Sequence, residues 1–449
     1  MDLFLKFMPK VIILTDKANS SRLKYVVGFI ESCFDELVFE FAEKTSDNNS
    51  NEVFVVYHNN LDHLPSPSIV WNQTKVLDLA PERWPLPSLQ QVGDSQILKF
   101  GGGQFDLPAA VFWMLARVEE YTSIKKDQHG RFLWSNSLLS REWKPVKPLV
   151  DEWVDEWANE MALKFGLKLS RKPEQKSWSV GVDIDTAWKY SGKASWKIFA
   201  GFFRDFLILR MKTWVQRLFY LTGSSKDPYD VYSDIKQWNF EYNQLIYFVL
   251  AGKTNKYDGP VYSTLEQFDT LIKTLSGQHL VGVHPSYDYL ESNELLKVQV
   301  NKLASITRSK ITSNRFHYLR LKLPDSYRFL EEAGIERDYS MGFADQIGFR
   351  TGTCRIHKWY DVRQERVSEL WIIPFCLMDR TLKDYLKLDP VQAVETATSA
   401  FEQVKKFKGH AHIIWHNSSF DWAEDWNGWE YVFREIMVKM KMILEESRS

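Results

Sequence analysis

Cysteine is scarce in this chain of 449 residues: there are three, Cys33, Cys354 and Cys376, with no Cys-x-x-Cys spacing among them. That argues against a disulfide framework and a thiolate zinc site, and a reducing compartment fits best. Neither sign of charge dominates. Lys and Arg number 57 against 58 Asp and Glu, so there is no global basic field of the kind that recruits nucleic acid. Long apolar runs are missing as well: no stretch is as long as the roughly 18 uninterrupted apolar residues that mark a transmembrane helix. The opening MDLFLKFMPKVIILTDK is broken by Lys6, Pro9 and Lys10 and lacks the apolar core and small-residue cleavage site of a secretion signal. The expected location is the cytoplasm.

What the chain does have is length, apolar content and aromatics. Its length exceeds one ordinary core and points to two domains. Hydrophobic residues make up 44% and aromatics 15%, with 18 Trp, which suits either a core of large side chains or platforms for stacking sugars. Strand patterns over 10–15, 36–42 and 53–58 around a helix at 22–33 describe a small α/β module. Gly101-Gly102-Gly103 is followed by no Lys-Ser/Thr and reads as a turn rather than a phosphate loop. Asp106 as an N-cap and Pro108 in the first turn open an apolar helix that runs to Tyr121. The charged, proline-bearing stretch 170–176 has the composition of a linker. It divides an N-terminal α/β domain, 1–170, from a larger unit, 171–449.

Beyond that point strands and helices alternate at crossover spacing, which means a parallel sheet and, at this many repeats, a closed or nearly closed β/α barrel. A helical insertion interrupts the alternation at about 194–240. Within it, 194–222 carries Lys197, Arg204, Arg210, Lys212 and Arg217 against the single acid Asp205. Such an excess suits an anionic membrane surface, but the plainer expectation is a buried insertion covering the barrel mouth.

The chemistry-bearing stretch is SWSVGVDIDTAWKY, 177–190. Its β-prone run ends in Asp183-Ile184-Asp185, and side chains two apart on an extended strand share a face. Two such acids repel unless a divalent metal or a basic group sits between them. Downstream, His284, Arg350 and His416 fall at expected strand ends, and His317 lies inside the strand expected at 315–321. In a parallel barrel those ends form one rim, where catalytic groups gather.

From about Trp178 to the C-terminus the phrases GVDIDTAW, GVHPSYDY, RFHYLRL, DYSMGFADQIGFRTGTCR, PFCLMD and IIWHNSSF occur in that order. In these the sequence resembles the polysaccharide deacetylases, the NodB-homology family of carbohydrate esterases, and in particular a bacterial branch with an added N-terminal domain. The resemblance implies a C-terminal β/α barrel, complete or of the incomplete seven-stranded deacetylase type, and a metal-dependent hydrolase of N-acetyl groups. It implies Asp183 as general base, Asp185 and His284 as metal ligands, Arg350 as the group orienting the base, and His416 as general acid. Two departures stand out: one residue is inserted between the two acids, and Asp288 occupies the place of the family's second metal-binding His.

The implied metal is zinc, whose catalytic sites take three protein ligands and leave a place for water. For the third ligand His317 is expected over Asp288, because a His on the strand beside His284 can reach the same ion and imidazole suits zinc better than another carboxylate. The partner implied is a carbohydrate substrate, an N-acetylated sugar or glycan precursor. Two other functions fit the same residues: a non-catalytic carbohydrate-binding protein on the same barrel, and a metal-dependent hydrolase of a small non-sugar amide.

Overall fold

The computed structural model describes residues 10–44, 53–58, 65–238, 240–242, 244–259, 265–421, 423 and 426–445. The opening residues 1–9, read above for a signal, lie outside the described residues. In the N-terminal part, β1 (Lys10–Leu14), α1 (Ser21–Ser32), β2 (Val38–Ala42), β3 (Val53–Val56) and β4 (Ser68–Val70) form a four-stranded parallel sheet in the order β2-β1-β3-β4. A hairpin of β5 (Pro87–Val92) and β6 (Ser95–Phe100) follows. Asp106 caps α2 (Leu107–Leu115) by accepting the Ala109 N–H at 2.9 Å, and the helix, apolar on every side, is buried throughout. With α3 (Val118–Thr122) and α4 (Leu149–Phe165) it completes a core separate from that of the larger sheet.

The rest of the chain runs β7 (Trp178–Ile184), α5 (Ser195–Leu207), α6 (Met211–Leu221), α7 (Tyr232–Lys236), β8 (Leu245–Val249), α8 (Glu266–Ser276), β9 (Leu280–Val283), α9 (Asn293–Thr307) and β10 (Ser313–Asn314). It continues through α10 (Asp325–Glu332), β11 (Arg337–Asp338), β12 (His357–Asp361), β13 (Arg366–Ile372), β14 (Phe375–Met378), α11 (Pro390–Lys406), β15 (Ala411–His416) and α12 (Trp429–Glu445). The strands form one nine-stranded sheet, β12-β13-β11-β10-β9-β8-β7-β15-β14, parallel except for the β12–β13 pair.

Alternation along the central strands sorts two faces. On β7, Val180, Val182 and Ile184 join the core under the helices, so Ser179, Gly181 and Asp183 point to the other face. That face is concave. Tyr339, just after β11, packs on Phe248 of β8 and His412 of β15, with ring centroids 5.3 and 4.8 Å apart. In a flat sheet strands three and five places apart would lie roughly 14 and 24 Å away. Gly181 permits the curl, because a Cβ there would stand 2.9 Å from the His412 ring and 3.0 Å from Phe248.

The sheet nevertheless does not close, and the expected barrel is an open, strongly curled sheet with edges at β12 and β14 among the described residues. One edge lies under the N-terminal part: Tyr25 Oη on α1 donates to Lys358 O at 2.8 Å, and Tyr360 and Val362 belong to the N-terminal core. Along the other runs segment 340–356, where Gly348 N–H donates to Cys376 O at 2.8 Å. Covered edges are protected from pairing with other chains.

Four local expectations need correction. Residues 347–350 form no strand, and His317 lies not in a strand but in a single 3-10 turn, His317–Leu319, after a strand only two residues long. The stretch 170–176 is no free linker, since Arg171 is buried between Asp151 and Asp155, at 3.3 and 2.5 Å. The insertion 194–222 is a helical hairpin of α5 and α6 whose outer apolar face is exposed rather than buried.

Candidate functional site

Because the sheet is parallel, the C-terminal ends of β7, β9, β10 and β15 converge on one rim. Asp183 is the last concave-facing residue of β7 and stands in register with His416 of β15. Asp185 lies one residue past the strand and turns toward the opening, partly exposed. His284 follows β9 directly. These residues line a cavity of about 520 Å³ together with Arg315, His317, Tyr257, Tyr318 and, from the N-terminal part, Arg131.

Asp185, His284 and His317 form a cluster whose ligand atoms all lie within 4.8 Å of one another. Asp185 Oδ1 is 3.2 Å from His284 Nε2 and 3.6 Å from His317 Nε2. Both rings are fixed from behind, which leaves each Nε2 facing the acid: His284 Nδ1 donates to Arg315 O, and His317 Nδ1 to Asp258 Oδ1 at 2.7 Å. This is how metal-ligating histidines are oriented, and it sets their tautomer. The donor set fits a divalent ion. Asp185 Oδ1 and His284 Nε2 are buried with no hydrogen-bond partner among the described residues, and tetrahedral zinc with bonds of about 2.0–2.1 Å keeps its ligands roughly 3.3 Å apart. Burial opposes charge on Asp185 and His317, but their neighbours win: the imidazoles hold Asp185 well below the usual carboxylate range, and Asp185 and Asp258 push His317 up to about 9. Asp288 lies outside the cluster and accepts from Asn255 Nδ2 at 2.9 Å, while Asn255 also bonds Asp258.

Beside the cluster sit two further pairs. Arg315 Nε is 3.2 Å from Asp183 Oδ2, both groups buried, and Asp183 Oδ1 has no hydrogen-bond partner among the described residues. His416 Nδ1 donates to Asp379 Oδ1 at 2.8 Å, and its Nε2 faces the acids, 3.8 Å from Asp183 and 3.9 Å from Asp185. Burial works against the imidazolium, yet Asp379 and then the two strand-end acids raise the His416 pKa. Asp379, at the end of PFCLMD, is itself buried, and the same charge pair lowers its pKa against the pull of burial.

The structure thus brings together Asp183, Asp185, His284, His317 and His416, and leaves Arg350 out. The Arg350 side chain turns to the N-terminal part, where Nε donates to Glu120 Oε1 at 2.8 Å, Nη2 to Glu120 Oε2 and Nη1 to Gly342 O at 3.1 Å. The guanidinium at Asp183 belongs to Arg315. Sequence reasoning missed Arg315, Asp258 and Asp379. Arg315 and Asp379 could have been found as a charged residue two before His317 and as an acid ending an apolar strand; Asp258, in a loop, carried no such signal.

A model for a family of unknown function, DUF7033, matches residues 11–166. No curated protein matches the chain. Among solved structures the chain is similar to a polysaccharide-deacetylase candidate from Mycobacterium smegmatis, at 13% identity and a TM-score of 0.36, over 62% of this chain and 93% of that one. It is similar to a polysaccharide deacetylase from Bacillus cereus at 12% identity and a TM-score of 0.29, over 60% and 88%. A carbohydrate deacetylase described as novel overlaps 98% of this chain and 84% of its own, at 8% identity and a TM-score of 0.35. Overlaps this slight leave the functional case to the residues of the cavity.

Proposed function

We propose that the cavity is the active site of a metal-dependent amide hydrolase that removes acetyl groups from an N-acetylated sugar or glycan precursor. The observation that carries this reading is the division of labour around one cavity: a metal-type trio of Asp185, His284 and His317, a buried acid with its own guanidinium, and a carboxylate-backed imidazole. The phrases shared with the deacetylases supply the substrate class. Asp183 is the general base, paired with and oriented by the Arg315 guanidinium, and takes the proton of the attacking water. His416, kept protonated by Asp379, gives its Nε2 proton to the departing amine. Asp185, His284 and His317 would hold a divalent ion, zinc by these donors, which would supply Lewis-acid polarisation of the acetamide carbonyl and of water.

At the opening stand Tyr257 and Tyr318, ring centroids 6.1 Å apart, aromatic surface of the kind that suits sugar faces. Residues 1–170 act as an accessory domain that lends Arg131 to the cavity. The three buried free cysteines suit a reducing, cytoplasmic setting. The test is acetate release by the full chain from N-acetylated mono- and oligosaccharides and from small acetamides. Release from the sugars alone supports the proposal; release from small amides alone makes the substrate class wrong, and binding of sugars without release makes the site a lectin.

A further inference from the structure

The hairpin of α5 and α6 presents an apolar surface that none of the described residues covers. Its inner side is tied down: Asp205 is buried and accepts from Arg217 Nη2 at 2.7 Å, Trp214 packs on Phe202 with ring centroids 5.0 Å apart, and Gln216 Nε2 donates to Asp421 Oδ1 at 2.7 Å. Its outer side is the opposite. Trp196, Phe199, Phe203 and Leu207 recur at helical spacing along one exposed face, and at the tip Leu207 and Leu209 are 78% and 79% exposed. Exposed apolar side chains this closely grouped on a folded surface mark an interaction site.

We propose that this hairpin docks the protein on an anionic lipid bilayer. Charge selects that occupant. Lys197, Arg204, Arg210 and Lys212 are exposed around the apolar face, whereas the only acid of 194–222, Asp205, is buried and already paired. A second copy would bring the same cations against one another; anionic headgroups would neutralise them while the acyl boundary takes up the apolar face. Geometry limits the depth: α5 has 13 residues, about 20 Å of helix, and among the described residues no helix is long and apolar enough to cross a membrane. The hairpin therefore lies in the interface. The chain enters the hairpin from the cavity and returns to it, since Thr186 before α5 and Tyr229 after α6 both line the opening. The inference does not depend on what the cavity hydrolyses.

The test is flotation of the full chain with vesicles of phosphatidylcholine alone and with added phosphatidylglycerol, beside sedimentation in the absence of lipid. The chain is expected to float with the anionic vesicles. The double variant Leu207→Glu/Leu209→Glu, at positions too exposed to matter for folding, should weaken this at least about tenfold with an unchanged melting temperature, and Arg210→Glu/Lys212→Glu should do likewise. Failure of the wild type to float, or flotation undiminished in both variants, would overturn the proposal. So would a lipid-free dimer that the Leu207→Glu/Leu209→Glu variant dissolves, because the face would then belong to a second copy.

Discussion

Asp183 and Asp185 are separated by one residue and by their surroundings. The first is buried on the concave face against Arg315; the second stands past the strand end between two imidazoles. Asp183→Asn should therefore abolish turnover while leaving metal content near wild type, and Asp185→Asn should lose both; parallel assays of metal and acetate release check the pair. His416 admits a different test. A general acid matters most for a poor leaving group, so His416→Ala should slow a sugar acetamide far more than an activated ester, whereas equal slowing would assign it a structural role. The strand-end acids and His416 were legible in the sequence because alternation and a parallel sheet fix where such residues point. His317 was legible as a neighbour of His284, but the expected reason, a place within the adjacent strand, is not what holds it. It is the Asp258 hydrogen bond, from a loop 59 residues earlier, that aims its ring.

At the scale of elements, segment 340–356 explains why Arg350 misled. Its phrase GFRTGTCR looks like a catalytic loop, yet Phe349 N–H donates to Pro145 O and Gly352 O accepts from Val150 N–H, so the segment is committed to the N-terminal part. Gly348, at φ +116°, lies so close to Pro145 that a Cβ would stand 2.2 Å from its carbonyl carbon. Such pairings over some two hundred residues have no trace in local periodicity. Arg315→Ala and Arg350→Ala should accordingly fail in different ways. The first should lose activity outright and, because it leaves Asp183 buried without its guanidinium, some stability as well. The second leaves Glu120 buried with half its partners gone and should cost about 3–5 kcal/mol of stability. Acid provides a further check. Burial favours the neutral acid, but Arg350 and Arg117 hold Glu120 down to about 2 against an unfolded value of 4.5. Its contribution, about 3 kcal/mol, is complete above the unfolded pKa and is lost as pH falls from there through the folded one. Melting temperature followed from neutral to acid pH should fall less steeply in Glu120→Gln, and identical slopes would remove Glu120 from the account.

The whole molecule joins a small parallel α/β sheet to a large curled one, and the first contributes to the cavity of the second. Alternating strands and helices made both sheets legible, as did the apolar α2 with its Asp106 cap. That the large sheet stops short of closing was legible as one of two outcomes; where it opens was not, because that depends on what lies along β12 and β14 rather than on the strands themselves. Nor was the exposed hairpin, whose amphipathic pattern is the same whether its apolar face meets protein or lipid. The loop carrying Arg131 crosses from the N-terminal part to the cavity, where Arg131 Nη2 donates to Tyr385 Oη at 2.7 Å, so the site is complete only in the full chain.

That full chain is the material for the most direct test of the account, the divalent metal content of the purified protein and of single-site variants. Close to one zinc per chain is predicted for the wild type, for Asp183→Asn and for Asp288→Ala, with loss in His317→Ala and His284→Ala. A wild type that binds no divalent metal even when it is supplied, or loss of metal in Asp288→Ala but not in His317→Ala, would contradict it.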